Sequence, residues 1–63
     1  MPENVTDRIM RLRPTATAIM TDRGEVRVDE GDHTCYCPPD LFDALSDFDT
    51  ETILHAMLYG IER

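Results

Sequence analysis

The stretch "HTCYCPP" sets His33, Cys35 and Cys37 within five residues of one another, and His55 follows further along the chain. Two thiols and two imidazoles are the composition of a closed, tetrahedral zinc site. Their spacing argues the other way. A zinc knuckle places two to four residues between its cysteines so that the chain can turn and aim both sulfurs at one ion, and here a single residue intervenes. On an extended strand His33, Cys35 and Cys37 share one face but stand about 6.5–7 Å apart in succession. Sulfurs bound at ~2.3 Å to one ion must be much closer than that. Pro38 also biases Cys37 towards extended backbone. A zinc centre made of His33, Cys35, Cys37 and His55 is therefore the alternative reading. The favoured one is a strand-to-helix junction with two packed thiols and no cofactor.

The same four residues offer a thiol–imidazole pair for nucleophilic catalysis. A chain of 63 residues has little room for a substrate pocket and an oxyanion hole besides. No Gly-rich phosphate loop and no third orienting group accompanies the pair, and the Cys-x-x-Cys spacing that lowers a thiol pKa is absent. The expectation is a protein that is not an enzyme.

Charge supplies the other candidate chemistry. Thirteen acids face six bases, all arginine, for a net charge of −7. The distribution is bipolar: residues 8–27 sum to +3, whereas residues 28–62 carry nine acids and no base. Arg8, Arg11, Arg13, Arg23 and Arg27 suit a dimeric DNA-binding regulator that lays a hairpin or arm on a groove. The overall acidity makes nucleic acid an unfavoured partner, and the competing role for these arginines is to neutralise acids of their own or a partner chain. Asp40, Asp43, Asp47, Asp49 and Glu51 form an acidic face, read either as solvated helix surface or as a phosphate mimic that occupies a basic groove. Aspartate-rich, lysine-free composition is also a halophilic signature, with codon bias as its competitor.

The elements that must position these groups follow from periodicity. Residues 1–13 read as an arm or short helix, with Asn4 as a cap, Val5, Ile9 and Leu12 at helical spacing, and Pro14 as the stop. Residues 14–29 read as a β-hairpin, Thr15–Thr21 pairing with Glu25–Asp29 around Asp22-Arg23-Gly24. Glu30-Gly31-Asp32 turns the chain and Thr34–Cys37 adds a short third strand. Residues 38–62 read as two amphipathic helices. The first enters at Pro38-Pro39-Asp40 and carries Leu41, Phe42, Leu45 and Phe48; the second is capped at Asp49 or Thr50 and carries Ile53, Leu54, Met57, Leu58 and Ile61. The fold class is α+β, one small domain of ββαα type.

A domain this small buries only about 60% of its unfolded surface, so a second copy is a natural supplement. The wide stripe Ile53, Leu54, Met57, Leu58 and Ile61 is the expected homodimer interface. No apolar run is long enough to span a membrane, and the amino terminus lacks the apolar core of a secretory signal, so the expected location is the cytoplasm. The favoured function is a small acidic, non-catalytic, protein-binding or regulatory protein that dimerises and also contacts an unidentified protein partner.

Overall fold

The computed structural model describes residues 3–60. Helix α1 (Val5–Leu12) leads into strands β1 (Thr17–Met20), β2 (Val26–Glu30) and β3 (His33–Cys37), and helix α2 (Asp47–Tyr59) is the last element among the described residues. The α+β class is as expected from the sequence, with the third strand and the early helix both present.

Local chemistry accounts for most of this. The Asn4 side chain accepts the Asp7 amide at 2.8 Å, which caps α1. The β1–β2 hairpin turns through Gly24 at φ +79°, a left-handed position that glycine occupies without penalty, and Thr21 N donates to Glu25 O at 2.7 Å. The β2–β3 connection is the two residues Gly31-Asp32, with Gly31 at φ +60° as primed hairpin turns require. The sheet is an antiparallel meander in the order β1-β2-β3. Its register aligns Ile19, Arg27 and Tyr36 in one row and Thr17, Asp29 and Thr34 in the next.

Strand alternation divides the sheet into two unlike faces. Ala16, Ala18, Val26, Val28, Cys35 and Cys37 are buried and meet Ile9 of α1, Phe42, and Leu54 and Leu58 of α2 in one core. Both helices lie on that face. Thr50 is buried with them, its hydroxyl donating to Ser46 O at 2.8 Å, so a polar side chain costs the core no unpaired group.

The expected first helix of residues 38–62 is not formed. Residues 39–45 make consecutive turns instead, with Leu41 N donating to Pro38 O, Asp43 N to Asp40 O and Leu45 N to Phe42 O at 3.1–3.2 Å. The reason lies at the far end of the chain. The Arg8 guanidinium donates to Phe42 O and Leu45 O, both at 2.7 Å, and so holds the turns by satisfying carbonyls that they leave without an α-helical amide. The cap of α2 is accordingly Ser46 rather than Asp49 or Thr50; its hydroxyl accepts the Asp49 amide at 3.1 Å. Leu41, Phe42, Leu45 and Phe48 then share no single stripe, since Phe42 is buried while Phe48 is 79% exposed.

Candidate functional site

Two constructions stand out, a polar lock at the end of β2 and an uncovered sheet face. The lock is centred on Glu30, which is only 9% exposed. Its carboxylate accepts a fork from Arg13, Nη2 at 2.7 Å and Nε at 3.0 Å, together with the Thr15 hydroxyl at 3.1 Å and the Tyr59 hydroxyl at 2.5 Å. Four chain segments are thus tied at one side chain: the end of α1, the linker after it, β2 and the last turn of α2. The Arg13 fork, aided by the Tyr59 hydroxyl, depresses the Glu30 pKa to about 2. The same hydrogen bond to an anion raises the Tyr59 phenol above its ordinary value.

The imidazoles of His33 and His55 flank the Tyr59 ring, with centroids at 4.2 Å and 5.1 Å. The four residues of the alternative zinc reading therefore separate into two settings. Cys35 and Cys37 are free thiols buried in the core, while His33 and His55 are exposed around Tyr59. Among the described residues no three His, Cys, Asp or Glu side chains converge in a metal-holding group. Burial pushes both thiols up, Cys37 to about 11. A thiol so placed is protonated at neutral pH, and an ionised Glu30 with a raised Tyr59 phenol makes a poor base beside a poor acid.

The arginines of the DNA-binding reading are mostly paired within the chain, Arg8 and Arg13 largely covered and Arg11, Arg23 and Arg27 exposed. Arg8 donates to two loop carbonyls and pairs with Asp47, Arg11 pairs with Glu3 and Asp47, Arg13 with Glu30, and Arg27 with Asp29. Of the five, only Arg23 has no ion pair among the described residues. Of the expected acidic face, Asp47 is neutralised by Arg8 and Arg11, which hold it below the usual carboxylate range; Asp40, Asp43, Asp49 and Glu51 remain exposed.

The expected interface stripe is partly consumed by the fold. Leu54 and Leu58 are core residues, Ile53 and Met57 are half-buried at its margin, and Ile61 lies outside the described residues. What sequence reasoning left aside is the other side of the sheet. Ile19 is 49% and Tyr36 53% exposed, in one row with Arg27, and the face carries no helix. At its edge Tyr36 joins Thr21, Asp22, Arg23 and Glu25 around a shallow, open depression. The signal was in the sequence: in Thr34-Cys35-Tyr36-Cys37, period-two alternation puts Tyr36 opposite in sense to the packed thiols.

No protein-family model matches the chain, and no curated protein or solved structure matches it either. No helix among the described residues is long and apolar enough to cross a membrane.

Proposed function

We propose that this chain is a small acidic protein that acts by binding protein rather than by catalysis, and that one protein it binds is a second copy of itself. The observation that carries this is the one-sided sheet: both helices pack on a single face and leave Ile19 and Tyr36 half exposed on the other. Half-exposed aliphatic and aromatic side chains in register on a rigid sheet are the kind of surface that protein contacts use. The arginines support the same reading, because ion pairs within the chain offset the charge of Arg8, Arg11, Arg13 and Arg27 and leave the exterior acidic overall. The protonation states of Cys37, Glu30 and Tyr59 at neutral pH suit structural roles. Two free thiols suit a reducing compartment, and the proposal places the protein in the cytoplasm.

Sedimentation velocity across a concentration series tests it. The expected result is a species of twice the 7.2 kDa chain mass that gains weight with concentration. A single 7.2 kDa species at every concentration would refute self-association.

A further inference from the structure

We infer that the second copy docks face to face on the open side of the sheet, through the row Ile19, Arg27 and Tyr36, and not through α2. This deepens the self-association proposed above and rests on it. Each chain carries −7, so two copies repel at most orientations. Outside the open face, Asp7, Asp32, Asp40, Asp43, Asp49 and Glu51 have no ion pair among the described residues. The open face differs. Arg27 and Asp29 neutralise one another at 3.1 Å, and Ile19 and Tyr36 flank Arg27 in register. At its edge Arg23 stands with Asp22 and Glu25, all three unpaired among the described residues, so this side carries the smallest excess of acid. A copy can therefore approach this side with least repulsion.

The face also suits a two-fold axis. Arg27 and Asp29 are alternate residues of the central strand, so setting two sheets antiparallel brings Arg27 of each chain opposite Asp29 of the other. On α2 the corresponding contact would bring together two helices that each expose Asp49 and Glu51.

Area sets the strength. Three strands of four or five residues, spaced ~4.8 Å with ~3.4 Å per residue, give a patch of only a few hundred Å² per chain. That lies at or below the lower limit for stable interfaces, so the dimer is weak, with a Kd on the order of tens to hundreds of micromolar. Its apolar contacts must overcome net repulsion between the chains, so added salt tightens it.

The test is sedimentation velocity of wild type, Ile19→Glu and Tyr36→Glu from ~10 µM to ~1 mM at low and near-molar sodium chloride, a span that brackets the weak-interface range. Circular dichroism monitors folding, and Ile19→Thr and Tyr36→Thr serve as milder variants that suit a strand. The expected result is a wild-type dimer strengthened by salt, with Ile19→Glu and Tyr36→Glu each weakened tenfold or more and Phe48→Glu, at the exposed apolar residue of α2, dimerising as wild type does. Charge reversal by Arg27→Asp should weaken the dimer, and Arg27→Asp with Asp29→Arg should restore it. Folded Ile19 and Tyr36 variants that dimerise like wild type would overturn this inference and leave self-association standing. A wild type that stays monomeric throughout would overturn both.

Discussion

Replacing Arg13 by Met removes the fork that holds Glu30 and leaves a nearly buried carboxylate with only two hydroxyl donors. Breaking one side of a buried ion pair typically costs 3–5 kcal/mol, and because this pair lies at the rim of the core we expect about 3 kcal/mol. A chain of this length has a total stability of roughly 3–9 kcal/mol, so the loss is a large share of it. Urea unfolding followed by far-ultraviolet circular dichroism should show the midpoint falling by about 3 M, given a slope near 1 kcal/mol per molar for a small domain. Replacing both Arg13 and Glu30 by Met should recover part of the loss, since no bare charge is then left in place. The pH dependence adds a second check. Glu30 titrates near 2 in the fold against an ordinary 4.5, so its contribution is complete above about pH 4.5 and disappears as pH falls towards 2. Wild type and Arg13→Met should therefore differ by a constant amount above pH 5 and converge below it. A loss under about 1 kcal/mol, or a gap unchanged down to pH 3, would refute the view that this carboxylate fastens the fold.

Arg8→Lys should cost about 1–3 kcal/mol in the same urea assay, because an ammonium cannot reproduce the fork that reaches Phe42 O, Leu45 O and Asp47 together. Chelator should leave the circular dichroism spectrum and melting curve unchanged, and both thiols should react with a disulfide reagent only at the rate of unfolding; metal retained on native mass spectrometry, or prompt thiol reaction, would go against the buried-thiol account. Melting temperature should rise as sodium chloride approaches molar levels, since screening relieves repulsion among the unpaired acids, and a flat or falling curve would contradict self-repulsion as a destabilising term.

What the sequence disclosed was local. The Asn4 cap, the glycine of the first hairpin and the alternation of β2 and β3 all act within a few residues, and each of those elements was legible. The turns over residues 39–45 were not, because the residue that ties down their carbonyls is Arg8, more than thirty positions away. Leu41, Phe42, Leu45 and Phe48 fit a helical stripe so long as that long-range tie is unseen. Glu30 escaped notice for the same reason: a glutamate at a turn reads as solvated surface until Arg13 and Tyr59 arrive from opposite ends of the chain. The charge asymmetry was visible, but whether an arginine faces inward or outward depends on tertiary partners that composition does not contain.

The long reach of Arg8 has a kinetic consequence. Its carbonyl partners lie 34 and 37 residues further along the chain, and the Tyr59 hydroxyl lies 29 residues beyond the Glu30 it meets. The hairpins close locally, in about 1–10 µs. Helix α1, at eight residues, is far shorter than the 12–15 at which isolated helices become marginal, so its order comes from packing, mostly against the neighbouring strand β1 and in smaller part against α2. The Arg8 contacts close long loops and are therefore expected to form late, once the sheet and α2 are assembled. Contacts of Arg8 then form after the folding transition state, and Arg8→Lys should hasten unfolding while barely slowing refolding, which would appear as a shift confined to the unfolding arm of the chevron.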